Sequence, residues 1–308
     1  MYDSILLPLD GSSFSEAAIP AATSLSGRTG ADLRLLTVIE FFPTSAPYGW
    51  EDAAEDQAEE YLFGVMEGME GRTGGAINTA ISVGKVSSAI LNEAESSDLV
   101  VMATHGRGGF SRAWLGGVAD HLARHAKTPL LLIRPQEGDP KSGPGEGQDP
   151  GAGGDWTVSK ILLPLDGSAV SEAIFEHALE VGALFGAAFH LVRVVPSPMQ
   201  FISPYPPHMI EANRERLESE EETARTYLEG HVTRLRARGL HVDYTVLTGV
   251  QPAHGILGEA QTSGCDLIAI SAHGRGTLAR AVLGSTSDKV VRGTHLPVLL
   301  FRAKKSAA

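Results

Sequence analysis

Ile5-Leu6-Leu7-Pro8-Leu9-Asp10-Gly11-Ser12 opens the chain, and Ile161-Leu162-Leu163-Pro164-Leu165-Asp166-Gly167-Ser168 repeats it without a change, 156 positions later. A short apolar run that ends in Asp-Gly-Ser reads as a strand, a turn and a helix cap. Ser15-Glu16-Ala17 recurs in step as Ser171-Glu172-Ala173. A second repeated stretch lies downstream. His273-Gly274-Arg275-Gly276-Thr277 through Leu283-Gly284-Ser285-Thr286-Ser287 matches His105-Gly106-Arg107-Gly108-Gly109 through Leu115-Gly116-Gly117, now 168 positions apart. Internal duplication outranks other organisational signals. Copy two therefore carries 12 extra residues between these points, and most of them fit its longer charged segment before Gly239.

Working outward from the openings, each copy alternates strand and helix. The pattern predicts a helix over 15–28 and a second strand over 33–39, matched by 189–195. Helices over 51–71 and 209–238 come next; the latter spaces Leu217, Ala224, Leu228, Val232 and Leu235 at helical intervals. Third strands (76–83, 241–247) and third helices (86–95, 252–262) follow. Fourth strands at 99–103 and 267–271 are continuously apolar, as in strands covered on both faces. A last helix, 285–293 in copy two, precedes the Pro-led strands Leu130–Ile133 and Val298–Phe301. These last strands are apolar and suit sheet edges. Since exposed apolar edges invite pairing, the two are expected to pair across a pseudo-twofold axis as an intramolecular pseudo-dimer, with a homodimer open beyond that.

Strand–helix alternation implies right-handed crossovers and a parallel sheet with helices on both faces. Ligands then bind beyond the carboxyl ends of the strands, where strand order reverses. Asp10 and the stretch after strand four share that edge if strands one and four are neighbours. The stretch itself reads as a phosphate cradle. Gly274 and Gly284 let the backbone approach a ligand, the helix start beyond attracts anions, and Ser285, Thr286 and Ser287 add hydroxyl donors.

The 308 residues predict about two domains, and 43% hydrophobic content is enough for two cores. A net charge of −12 disfavours a nucleic acid or an anionic membrane as partner. Cys265, the one cysteine, excludes an intrachain disulfide and a multi-thiolate zinc site. It reads as a small buried residue. No secretory pattern or membrane-spanning apolar run is visible, so a cytoplasmic protein is expected. The segment 136–158, rich in Gly, Pro and acidic residues, reads as a linker between domains 1–135 and 159–304. Proline-marked loops after strand two, around Pro43 and Pro47 and around Pro196 to Pro207, are expected to cover the sites.

At the cradle the sequence resembles the universal stress protein family in its tandem form. ATP-binding members carry Gly, two residues, Gly, nine residues, then Gly and Ser or Thr. Copy two has Ser271, Gly274, Gly284 and Ser285 at these positions; copy one has Ala103, Gly106, Gly116 and Gly117. The first glycine is thus replaced in both. The final hydroxyl is missing in copy one, where Val118-Ala119 also stands for Thr286-Ser287. The resemblance implies that the cradle amides hold the phosphates of ATP, with Mg²⁺ as their companion. Asp10 and Asp166 reach the ribose or a metal-linked water. Pro8 and Pro164 border the base, and Val38 and Val194 offer backbone groups to adenine. Arg107, Arg112, Arg275 and Arg280 neutralise phosphate. His105 and His273 are expected to hold the loop by a hydrogen bond.

The expected fold is α/β: two doubly wound, Rossmann-like parallel five-stranded sheets in tandem, with strand order 3-2-1-4-5. The expected function is ATP binding in a stress response, with ATP as a conformational ligand and hydrolysis slow at most, because no Walker lysine follows the glycines. Two other readings stand beside it: an ATPase or nucleotidyl transferase on the same core, and an interaction protein without nucleotide, motivated by the altered first glycine.

Overall fold

The computed structural model describes residues 2–40, 49–104, 115–135, 155–197, 207–272 and 283–303. Copy one runs β1 (Ser4–Pro8), α1 (Ser13–Glu16), α2 (Ile19–Thr29), β2 (Asp32–Ile39), α3 (Trp50–Met69), β3 (Ile77–Val83), α4 (Val86–Ala94), β4 (Leu99–Ala103), α5 (Gly117–His125) and β5 (Leu130–Ile133). Copy two repeats this as β6 (Lys160–Pro164), α6 (Ala169–Glu172), α7 (Phe175–Phe185), β7 (Ala188–Val195), α8 (Pro207–Arg236), β8 (Val242–Thr248), α9 (Pro252–Thr262), β9 (Leu267–Ser271), α10 (Ser285–Gly293) and β10 (Val298–Phe301). Helix α8 has 30 residues against 20 in α3, so the extra length of copy two goes mostly into this one helix.

Each copy is a parallel sheet of order 3-2-1-4-5, and the two join edge to edge in one ten-stranded sheet, β3-β2-β1-β4-β5-β10-β9-β6-β7-β8. The join is antiparallel, with Leu131 opposite Leu299, so two apolar edges cover each other as their composition requires. The first apolar cluster runs through both copies on one sheet face, from Leu7, Leu33 and Leu62 to Leu163, Phe189 and Leu228. The second does so on the other face, from Leu6, Val100 and Leu122 to Leu162, Ile268 and Val290. Helices α2 and α7 add a contact across the copies. Arg28 stacks on the Phe185 ring at 4.5 Å and donates to the Leu184 carbonyl at 3.1 Å.

The structure breaks the single helix expected over 15–28 into α1 and α2, and does the same in copy two. Pro20 fits the first turn of α2, but copy two has Glu176 there, so proline is not the shared cause. What both copies share is a serine whose hydroxyl is turned inward. Ser15 Oγ donates to the Ser12 carbonyl at 2.8 Å, and Ser171 Oγ to the Ser168 carbonyl at 2.8 Å. Such local bonds compete with the helical ladder.

Candidate nucleotide site at the switch point of each sheet

Strand order reverses between β1 and β4, and between β6 and β9. Register places Ile5 beside Leu99 and Ile161 beside Leu267. One aspartate per copy sets this adjacency from the opposite end of the strands. Asp98 Oδ2 accepts from the amides of Asp3 and Ser4 at 2.9 and 3.0 Å, and Asp266 accepts from those of Ser159 and Lys160 at 2.8 and 3.1 Å. Sequence reasoning missed both residues. Their one signal was their place directly before an apolar strand in each copy.

At the carboxyl edge, buried Pro8 and Pro164 end β1 and β6. The following aspartates shape the turn. Asp10 Oδ1 accepts from the Ser12 amide at 3.0 Å and its hydroxyl at 2.5 Å, and Asp166 Oδ1 accepts from the Ser168 amide at 2.9 Å. The intervening Gly11 and Gly167 have φ of 78° and 84°, a conformation that costs a side chain strain. Ser12 and Ser168 then cap α1 and α6 by accepting from Ser15 N and Ser171 N. Val38 and Val194 lie on the next strand over, paired with Ser82 and Leu247, and reach the same edge.

The cradle glycines that end the loops start the next helices. In copy one the chain leaves β4 at Thr104 and returns at Gly116, whose amide donates to the Thr104 carbonyl at 2.9 Å. Gly116 and Gly284 occupy the N-cap positions of α5 and α10, and neither helix start receives a side-chain cap. The first amides after them are therefore open to an anion. Gly117 and Ser285 are exposed and Val118 and Thr286 half-buried; Ser287 and Ala119 are buried. The Ser287 hydroxyl donates to the Ser271 carbonyl at 2.9 Å, so it ties α10 to β9. Ser271 itself is 3% exposed, and its hydroxyl finds no hydrogen-bond partner among the described residues. The matching Ala103 has no hydroxyl to satisfy. His105, Gly106, Arg107, Gly108, Gly109 and Arg112, with His273, Gly274, Arg275, Gly276, Thr277 and Arg280, lie outside the described residues. So do most of the loops expected to cover the sites and the linker core, 136–154.

Each copy holds a part-buried acid–phenol pair whose acid stands on the short helix after the aspartate turn. Tyr61 OH donates to Glu16 Oε1 at 3.0 Å, and Tyr227 OH to Glu172 Oε1 at 2.7 Å. Burial, aided by nearby Asp10, pushes the Glu16 carboxyl above the ordinary range. Burial raises both tyrosines as well. The copies differ at one more position. Arg193 lies over the Tyr227 ring at 5.0 Å and against Gly167, where an added Cβ would meet its Nη1 at 3.0 Å. Copy one has Thr37 there, which donates to the Leu9 carbonyl at 3.2 Å. Cys265 is buried far from this chemistry in character: burial pushes its thiol up to about 12, as suits an inert core residue.

Among the described residues no helix is long and apolar enough to cross a membrane. Comparison with known proteins agrees with the doubled fold. The model of the universal stress protein family matches residues 1–134 and again 157–302. Universal stress protein Rv1996 of Mycobacterium tuberculosis is 26% identical over 332 residues, covering 99% of this chain and 96% of the relative. A universal stress protein of Mycolicibacterium smegmatis is 33% identical over 135 residues, 43% of this chain and 46% of the relative, so that match spans about half the relative's length. A universal stress protein from Archaeoglobus fulgidus has the same fold, with a TM-score of 0.67 at 20% identity over 98% of this chain and 97% of that one. Two family matches on two halves of the same strand order, each with its own switch point and glycine-started helix, make this chain a tandem member of the universal stress protein family.

Proposed function

We propose that the chain binds adenine nucleotide, ATP foremost, at the carboxyl edge of each half, and that copy two binds it more tightly. The observation that carries the reading is the pairing of an uncapped helix start with the orphaned Ser271 hydroxyl at the end of β9. A buried hydroxyl without a partner costs about 1–3 kcal/mol, and a ligand oxygen would relieve that. Ser285 and Thr286, exposed and half-exposed on the first turn, supply further donors. Arg193 adds positive charge to the same edge, and among the described residues no carboxylate pairs with it. In copy one, Gly117 and Val118 offer amides alone.

The phosphates would lie at the helix starts, the base near Pro8 or Pro164 with Val38 or Val194 as backbone partners, and the ribose near Asp10 or Asp166. Among the described residues no group of three or more His, Cys, Asp or Glu side chains is placed to hold a metal. Mg²⁺ would therefore be carried by phosphate and water, its usual mode. Asp10 and Asp166 already serve their turns through Oδ1, which suits a binding role better than that of a general base. ATP would then act through its differential affinity for one conformation, with hydrolysis slow at most, in a cytoplasmic stress response.

Replacing Ser285 with Asp tests this. An acidic residue is welcome in the first turn of a helix, so the fold survives while the anion position is filled by a fixed negative charge. Calorimetric titration with ATP should lose the tighter site in Ser285→Asp and the weaker one in Gly117→Asp. Gly117 has open space for a side chain. Unchanged binding in both variants would remove the assignment.

A further inference from the structure

Asp120 and Arg124 on α5, with Asp288 and Arg292 on α10, form a closed ring of charge across the pseudo-twofold axis. Asp120 accepts from Arg124 Nε and Nη2 at 2.8 and 2.9 Å and from Arg292 Nη2 at 2.5 Å. Asp288 accepts from Arg292 Nε at 3.1 Å and from Arg124 Nη2 at 3.3 Å. Two carboxylates and two guanidinia leave the ring neutral, and all four side chains are only about a quarter exposed. The Arg124 guanidinium holds the Asp120 carboxyl below its ordinary range, with Arg292 adding to the effect.

The far ends of the same helices exchange a second set of bonds. Arg134, which follows β5, donates to the Val291 carbonyl on α10 at 3.5 Å, and Arg302, which follows β10, donates to the Arg124 carbonyl on α5. Each helix is thus gripped at both ends by side chains of the other copy. Both acidic members lie in the first turns of their helices, next to the amides that start each cradle.

We infer that this ring couples the two nucleotide cradles, so that a ligand seated at one helix start raises affinity at the other. The inference rests on the nucleotide reading above and adds regulation to it. Binding at α10 fixes its first turn, and with it Arg292, Asp120 and the start of α5. The second ligand then meets a helix start already in place, and linkage makes the effect reciprocal. Asp120, Arg124, Asp288 and Arg292 are in this sense positioning residues.

The experiment is a calorimetric titration of the full chain with ATP and Mg²⁺, beside Gly117→Leu and Ser285→Leu, each of which fills one cradle with an uncharged side chain. The product of the two wild-type binding constants should exceed the product of the two single-site constants by about five-fold or more. That excess should vanish in the Asp120→Asn, Asp288→Asn double variant and persist in Arg292→Lys, with thermal midpoints recorded for each. Equal products in the wild type, or an excess that survives in the double variant, overturn the coupling and leave both sites standing. A chain that binds no ATP at all overturns the nucleotide reading beneath it. Should the double variant not fold, Arg292→Gln alone removes the cross-copy arm to Asp120 and is judged by the same two products.

Discussion

The two copies open with eight identical residues and fold into sheets of identical order, yet they spend polar groups differently. Copy one is quiet. Ala103, Gly117, Val118 and Thr37 leave little for a ligand beyond amides, and its β2 cation Arg34, at 47% exposure, pairs with Glu93 at 2.8 Å. Copy two is loaded. Ser271, Ser285, Thr286 and Arg193 crowd the cradle edge. At the position matching Arg34 it buries His190, which reaches Asp243 through Nδ1 and Glu259 through Nε2 at 2.8 Å. Copy two thus carries groups that are costly unless satisfied, where copy one does not. The contrast teaches that the fold is carried by what the copies share, and that they differ in the polar groups set at the two helix starts.

The largest expected break in that comparison is in stability. His190→Ala removes the partner that Asp243 and Glu259 share, leaving Asp243 with Lys160 at 3.1 Å and Glu259 with Thr245 and Ser263 at 2.9 and 2.7 Å. Leaving the buried Glu259 carboxylate without this partner costs about 1–3 kcal/mol, while Asp243 is half exposed and loses little. Arg34→Ala should cost under about 1 kcal/mol, as a half-exposed pair does. Urea denaturation of the two variants measures the difference; equal losses would mean that His190 is no keystone. Acid probes the same cluster. Burial works to raise the Glu259 carboxyl, but the hydrogen bonds from Ser263 and Thr245, with His190, outweigh it and hold the group below its ordinary value of 4.5. A depressed carboxylate stabilises above its unfolded pKa and loses that contribution as pH falls through the folded one. The thermal midpoint should therefore drop as pH falls below about 4.5, and Glu259→Gln should flatten part of that slope.

Next in size is the transfer of hydroxyls between cradles. Giving copy one the residues of copy two, Gly117→Ser with Val118→Thr, should raise its ATP affinity by about ten-fold or more. A hydrogen bond to a charged group is worth about 1.5–3 kcal/mol. The reverse exchange, Ser285→Gly with Thr286→Val, should lower copy two by a similar factor. Calorimetry on chains with the other cradle filled reads each change. A gap between the copies that ignores both exchanges would place its origin elsewhere, with Arg193 as the next residue to replace.

Much of this contrast was legible in the residues. Strands β4 and β9 and helices α9 and α10 begin and end where the apolar pattern and the Gly and Pro punctuation put them, because continuous apolar runs have few other ways to be buried. The edge pairing of β5 with β10 followed from apolar strands that had nothing else to cover them. The sequence could not show the break between α1 and α2, since it depends on a serine hydroxyl turning to the carbonyl three residues back, which leaves no trace in the apolar pattern. Nor could it show the Asp120–Arg292 ring, whose members are 172 positions apart and look like ordinary i,i+4 pairs on two separate helices. Ser287 shows the limit most simply. As a residue type it was a plausible phosphate donor, and only the position of the Ser271 carbonyl reveals where its proton goes.

The smallest expected effect makes the sharpest test. Ser271→Ala gives copy two the residue that copy one already has at the same place. In the ligand-free chain the hydroxyl is buried and unpartnered among the described residues. Removing it should therefore stabilise the chain by about 1 kcal/mol, the desolvation penalty of such a group. With ATP bound, the same substitution deletes an interaction, so the affinity of copy two should fall by several-fold. The two signs oppose each other, and that opposition is the diagnostic. A core hydroxyl with only a structural role would lower stability on removal with or without ligand, and one of no consequence would change neither. Thermal midpoints with and without saturating ATP, compared between wild type and Ser271→Ala, should therefore cross: the variant melts higher when empty and gains less from the nucleotide. Ala103→Ser in copy one should show the mirror image, losing stability when empty and gaining more on binding, if the hydroxyl at this strand end is there for the ligand.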